Sequence, residues 1–422
     1  MRFPNAWLWL VDEAIPNWVK NNYSPKDGWK NKPFTEKDAG FFFKGIQELS
    51  ELFTEERPRR MPAYLTHPKF RSSYLLYFLP LQAAKFSTIF QLHPQAAAAA
   101  LRHGQETGTL KIVDLGAGPG TASFAFLLWI LEQKFESQDE IPKIEFDWFD
   151  TNRSTMEDGK KIIELFCLNF PRLRGRVIVR SHVGPWTQAA AMIRGETSLV
   201  LMGHVLNEAS GMLADRPDEY DMPEDSRSSP IRPLVKIFEK MRGGGILMVE
   251  PAERRSSQML SQIRDEMIEA GVLEAKPTSI WGPCLHGGRC PLATGRDWCH
   301  FSVPADVPGK WFKIFSKNLS SEKQWVKFSY IWLAAPSTPA ITQSANLRRV
   351  VSDPMKMQSL PTSVLLCEPE HTGRLEVPIN TTIKRGDLIN SLQKMPEKIK
   401  ISVSAPVKPV AKVTKINIKP RR

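Results

Sequence analysis

Residues 108–135 read GTLKIVDLGAGPGTASFAFLLWILEQKF. Apolar residues from Leu110 to Leu115 spell a strand, Gly116, Gly118 and Gly120 a tight turn, and the run from Thr121 an apolar helix. Glycines let a backbone pass close to a ligand without a Cβ clash. A turn at the carboxyl end of a first strand is also where open α/β sheets bind nucleotide-like ligands. An ordinary βα turn needs the same residues, so the neighbouring segments decide.

Those segments alternate. Residues 141–170 repeat strand then helix, 174–183 add a third strand and 197–210 a fourth. Residues 231–242 read as a helix, 243–253 as a fifth strand and 253–271 as another helix. Strands alternating with helices predict a doubly wound parallel sheet. KWFKIF (310–315) and KFSYIWLAA (327–335) are expected to close it as later strands. Residues 1–105 read as a helical region, with apolar residues at helical spacing over 34–56 and 71–104 and a kink at Pro80. The α/β domain is then 106–335. LRRVV, TSVLLCE and RLEVPI suggest a small β module over 345–400, ahead of a tail at 401–422.

The GxGxG form follows Asp114, and the second strand ends in Asp150, where a carboxylate can accept both hydroxyls of a ribose. This combination resembles the S-adenosylmethionine site of class I methyltransferases more than a dinucleotide site. The expected cofactor-binding residues are Asp114, Gly116, Gly118, Gly120, Asp150 and His204. Methyl transfer itself does not follow. The fourth strand ends in Gly203-His204-Val205-Leu206-Asn207-Glu208, without the Asn/Asp-Pro-Pro-aromatic signature that orients a target nitrogen. His204 and Glu208 are the candidate acid/base pair, though lining the site or capping a helix suits them better.

Cys284, Cys290 and Cys299 crowd into residues 282–302, GPCLHGGRCPLATGRDWCHFS, while the whole chain has only five cysteines. Cys367 can supply a fourth thiolate, and Cys167 sits at an apolar helical position and reads as core. The ligands are separated by five, eight and 67 residues. Zinc knuckles use gaps of two to four. Wide, irregular gaps favour an iron–sulfur cluster, with zinc and an unligated set as the alternatives. His286 and His300 read as groups supporting the thiols, not as ligands. Radical S-adenosylmethionine enzymes use short gaps of three and two residues, which are absent here.

The net charge is +12, and residues 401–422 supply half of it, with six Lys/Arg and no acid. Such an arm suits a phosphate-rich partner. Arg57, Arg59, Arg60, Lys69 and Arg71, interleaved with Tyr64 and Tyr74, form a second basic patch. Residues 211–230 are acidic and read as a surface loop. No run of eighteen apolar residues occurs, which disfavours a membrane span. The start lacks the pattern of a secretory signal or presequence, so a cytoplasmic, bacterial chain is expected.

The set LGAGPG (115–120), HVLNE (204–208), VEPAE (249–253), GPCLHGGRCP (282–291), DWCHFS (297–302) and KFSYIWL (327–333) resembles the methyltransferase-like family associated with the small ribosomal subunit of bacteria and mitochondria. The likeness spans roughly residues 60–385. It implies a class I methyltransferase-like α/β fold, Rossmann-like, with a helical N-terminal region, an iron–sulfur loop and a small C-terminal β module. It further implies a [4Fe-4S] site at Cys284, Cys290, Cys299 and Cys367. The partner it implies is the small ribosomal subunit and its rRNA, bound during assembly without methyl transfer; the chain itself is expected to be a monomer. An active rRNA methyltransferase using S-adenosylmethionine is the alternative. The compartment would be the bacterial cytoplasm, or the mitochondrial matrix for a eukaryotic chain. Ala252, Glu253 and the acidic 211–230 stretch depart from the family pattern.

Overall fold

The glycine turn closes the first strand of a parallel sheet. A computed structural model of the chain describes residues 4–25, 27–54, 64–137, 140–206, 231–319, 324–336, 338, 347–357, 360–377, 380 and 382–390. The acidic 211–230 stretch, Arg57, Arg59, Arg60 and the 401–422 tail lie outside them. The chain divides into one unit of Met1–Val249 with Val303–Val326, and a second of Glu250–Ser302 with Lys327–Arg422.

In the first unit, β1 (Thr109–Leu115), β2 (Lys143–Asp150), β3 (Val177–Val183), β4 (Thr197–Gly203) and β5 (Met241–Pro251) run in the order β3-β2-β1-β4-β5. The pairings β1–β2, β1–β4, β2–β3 and β4–β5 are all parallel. β4 is buried from Thr197 to Met202, as a strand covered on both faces must be. The order reverses between β1 and β4, and their carboxyl ends bound the crevice where ligands of such sheets sit.

Helices cover this sheet. α1 (Asn5–Trp9), α2 (Ile15–Tyr23), α3 (Glu36–Thr54), α4 (Pro68–Ser73), α5 (Leu79–Leu92) and α6 (Pro94–Thr107) precede β1. The turn before Pro80, Tyr74–Phe78, is wound as a π-helix that runs on from α4 into α5, so Pro80 sits inside one continuous helical run. α7 (Thr121–Glu132) is buried from Thr121 to Ile130, and its Phe126 meets Phe90 of α5 at 5.4 Å. α8 (Arg153–Asn169) buries Ile162, Ile163, Phe166 and Cys167; Phe166 and Phe170 receive the Trp9 ring. α9 (Ala189–Met192) and α10 (Ile231–Phe238) complete the alternation.

One expectation is corrected here. KWFKIF is not a strand but the start of a helix, Lys310–Asn318. Trp311, Phe312 and Phe315 are buried there, spaced i, i+1 and i+4 on one helical face. Phe312 stacks on Tyr77 at 4.9 Å, Trp311 meets Phe34 edge-on at 4.8 Å, and Trp311 Nε1 donates to Asp12 O at 3.0 Å. Strand alternation would have split these aromatics between two faces.

The second unit holds α11 (Arg254–Glu269) and β6 (Ile280–Gly282), which pairs antiparallel with β8 (Trp325–Leu333). β7 (Phe301–Pro304) also pairs with β8. A small antiparallel sheet follows: β9 (Leu347–Val350), β10 (Met355–Met357), β11 (Leu360–Cys367), β12 (Thr372–Glu376) and β13 (Leu388–Asn390). Val350, Val364, Leu366, Val377 and Ile389 form its core. Because parity is two along a strand, Val364 and Leu366 face that core together.

Candidate functional site: a glycine turn and a four-thiol cavity

In the first unit, Gly116, Gly118 and Gly120 all have positive φ, at 65°, 53° and 76°. A Cβ on Gly116 would lie 2.2 Å from Val205 Cγ2, and one on Gly120 would lie 2.1 Å from the Trp148 ring. Nothing stands within 4 Å of a Cβ on Gly118, so the open side of the turn is there. Gly116 N and Ala117 N both donate to Phe149 O, at 2.7 and 3.1 Å, tying the turn to the end of β2.

The two acids take different places. Asp150 Oδ2 accepts from Gly118 N at 2.8 Å and Oδ1 from Asn152 N at 2.7 Å, so its carboxylate braces the turn it was expected to serve. Burial raises its pKa, against the lowering effect of these amides. Asp114 is only 2 % exposed and lies beneath the turn. It accepts from Ser123 Oγ at 2.7 Å, and Ser123 in turn accepts from Trp148 Nε1 at 2.9 Å. Burial pushes the Asp114 carboxyl up to about 7.

His204 follows β4 with φ of 62°, a left-handed conformation unusual for a residue bearing a Cβ. Its N–H donates to Val249 O at 2.8 Å, and its Nε2 lies 3.5 Å from Nζ of the buried Lys85. Asn207 and Glu208 lie outside the described residues.

In the second unit, Cys284, Cys290, Cys299 and Cys367 line one small cavity, together with Ser261, Leu292 and Tyr330. All four are free thiols. Cys167 is not among them: it is buried in α8, where burial raises its pKa to about 12. Burial, reinforced by the neighbouring thiols, pushes Cys290 up to about 11 and raises Cys299 and Cys367 further. Four thiolates in this space therefore call for compensating positive charge. Among the described residues, no three His, Cys, Asp or Glu side chains are grouped so as to hold a metal ion.

The cavity wall is assembled from loops that α11 fastens. Arg264, fully buried on α11, donates through Nη2 to His286 O at 2.9 Å and to Gly288 O at 2.5 Å. Asp265 pairs with Arg264 and accepts from Cys290 N at 2.9 Å. Burial acts to lower the Arg264 pKa, but Cys284, Asp265 and Cys290 outweigh it and raise it. Arg349 Nε donates to Pro283 O at 2.6 Å, and Ser329 Oγ to Cys299 O at 2.8 Å. Cys367 ends β11, and the turn after it docks on the cysteine loop. Glu370 N donates to Arg289 O at 3.0 Å, and Gly288 lies so close to Pro369 that a Cβ would come within 2.8 Å of it.

His286 Nε2 sits 3.2 Å from Cys367 Sγ. Burial, then Arg264, lowers its pKa to about 4. The His300 ring lies tilted against Trp298, with centroids 5.4 Å apart, and Trp298 Nε1 donates to Ala252 O at 2.9 Å. Arg264 and Asp265 escaped the sequence reading. Their signal was there: Arg264 interrupts the apolar face defined by Leu260, Ile263 and Met267.

The sheet order and the glycine turn at its switch point define a class I methyltransferase-like protein. The pattern of the family described as "Mitochondrial small ribosomal subunit Rsm22" matches residues 73–395, and the chain belongs to that family. No curated protein matches it in sequence. Solved structures with a similar trace include the plantazolicin methyltransferase BamL in complex with a desmethylPZN analog and SAH, at 8% identity, TM-score 0.31, and coverage of 71% of this chain and 98% of that one. Another is the mitomycin 7-O-methyltransferase MmcR, at 16% identity, TM-score 0.27, and coverage of 51% and 54%. Likeness at this distance is a likeness of general fold and carries no functional argument.

Proposed function

We propose that this chain acts at the small ribosomal subunit as an assembly or translation factor that binds ribosomal RNA as a monomer. Its methyltransferase-like unit serves as a scaffold without methyl transfer, and Cys284, Cys290, Cys299 and Cys367 hold a structural [4Fe-4S] cluster. Membership of a small-subunit family supports the first part. The observation that carries the second is the convergence of four thiols, the last 68 positions beyond the third, on one cavity.

The donor chemistry favours such a group, although the thiols are not drawn into metal-holding geometry among the described residues. Soft sulfur donors suit iron, and fully buried Arg264 with half-buried Arg349 offset part of the thiolate charge. A bound cluster would supply a rigid cross-link between the 284–299 loop and β11. The chain's own residues do the rest: Arg264 and Asp265 shape the loop, and His286 contacts Cys367 Sγ. S-adenosylmethionine, if bound, would meet the Gly118 side of the turn, with Asp150 and His204 as further contacts. The compartment follows the ribosome: bacterial cytoplasm or mitochondrial matrix.

The test is an iron and sulfide assay with an absorption spectrum on anaerobically purified protein, for the native chain and Cys299→Ala. About four irons per native chain and a depleted variant support the cluster. One zinc per chain, or equal iron in both proteins, defeats it. Co-sedimentation with small subunits tests the partner.

The second reading, an active rRNA methyltransferase, has one observation in its favour: His204 is held in a left-handed conformation at the end of β4, beside Lys85. Methyl incorporation into small-subunit RNA that disappears in His204→Ala would establish it.

A further inference from the structure

Residues 165–195 contain five arginines, Arg172, Arg174, Arg176, Arg180 and Arg194, with no lysine and no acid. The same stretch holds Leu165, Leu168, Ile178, Val183 and Met192, which are five of the eight large apolar side chains exposed among the described residues. Four of these arginines and four of these apolar residues fall on the end of α8, on β3 and on the turn between them, while Met192 and Arg194 lie beyond, on and after α9; β3 closes one end of the strand order.

The arginines are placed, not loose. Arg174 Nη2 donates to Leu168 O at 2.7 Å and Arg172 Nη1 to Gln133 O at 3.4 Å, at the carboxyl ends of α8 and α7. Those ends carry partial negative charge that steadies each guanidinium. Each uses one of its five donors there, both side chains are exposed, and neither has a carboxylate partner among the described residues. Arg180 differs, since Glu145 pairs with it at 2.7 Å.

We propose that this arginine-rich face, centred on Arg172, Arg174 and Leu168, docks the phosphate backbone of small-subunit RNA. The proposal rests on the reading that the chain binds ribosomal RNA. Guanidinium forks match phosphate oxygens and also stack on bases. Neighbouring leucine and isoleucine give sugar and base faces an apolar surface. An acidic protein would satisfy the charge as well, and the test separates it.

The full chain is titrated with a labelled transcript of small-subunit rRNA at several potassium chloride concentrations. Removing two phosphate contacts by Arg172→Gln with Arg174→Gln should weaken binding about tenfold and reduce the log–log salt slope by about two. Leu168→Ser, at a 59 % exposed position where the fold is not at stake, should weaken binding about threefold at unchanged slope. It carries the test if the double variant melts early. Native affinity and slope in both variants overturn the face but leave RNA binding intact. A native chain that ignores the transcript overturns both. Variants that bind the transcript normally yet no longer co-sediment with small subunits overturn RNA in favour of a protein partner.

Discussion

Arg264 is the side chain on which the cysteine loop depends most. It is fully buried, and one guanidinium serves two loop carbonyls and the carboxylate that holds the Cys290 amide. A lysine ammonium can keep the charge but cannot span that fork. Arg264→Leu leaves Asp265 and two carbonyls without their donor, which should cost about 3–5 kcal/mol. We expect a clearly lower melting temperature and less than half the native iron content, with Arg264→Lys between the two. Native iron in Arg264→Leu would mean that the loop is shaped by something else. Sequence alone could see the thiols, because Cys284, Cys290 and Cys299 are crowded. Arg264 showed only as a charge interrupting the apolar face of Leu260, Ile263 and Met267, and a charged residue in a helix defaults to the solvent face.

Among the elements, β1 and its turn carry a pH signature. Asp114 has its pKa raised by burial to about 7, so the folded state holds this proton more tightly than the unfolded chain. Its stabilising contribution is complete below pH 4 and is lost as pH rises through 7. Asp114→Asn removes that dependence while keeping an acceptor for Ser123. Between pH 5 and 8 the native protein should lose on the order of 2–3 kcal/mol more stability than the variant. Parallel denaturant titrations check this; matching pH profiles would contradict it. The β/α alternation from 109 to 251 was legible because a parallel sheet writes itself locally, as apolar runs separated by amphipathic helices. KWFKIF was not: six residues rich in aromatics satisfy a strand and a helix equally, and only the rings of Phe34 and Tyr77 decide. Cys367, named as a fourth thiolate, does meet the loop ending 68 positions earlier, a union that the count of five cysteines suggested and no local pattern could place.

Across the whole molecule, charge is the property that a ribosomal partner would sense first. The chain carries +12, of which residues 401–422 contribute six positive charges. Deleting that tail should lower the salt slope of rRNA binding by up to about five, since each neutralised phosphate contributes about 0.9. An unaltered slope would assign RNA contact to the rest of the chain. Separately, the turn after β11 seats on the cysteine loop through Glu370 and Pro369. During synthesis, Cys299 leaves the ribosome 68 residues ahead of Cys367. At about 5–20 residues per second, that interval lasts roughly 3–14 s. For those seconds three thiols stand in a half-built wall, open to oxidation or to stray metal. A chain cut short before β11 lacks Cys367 and can never finish the wall.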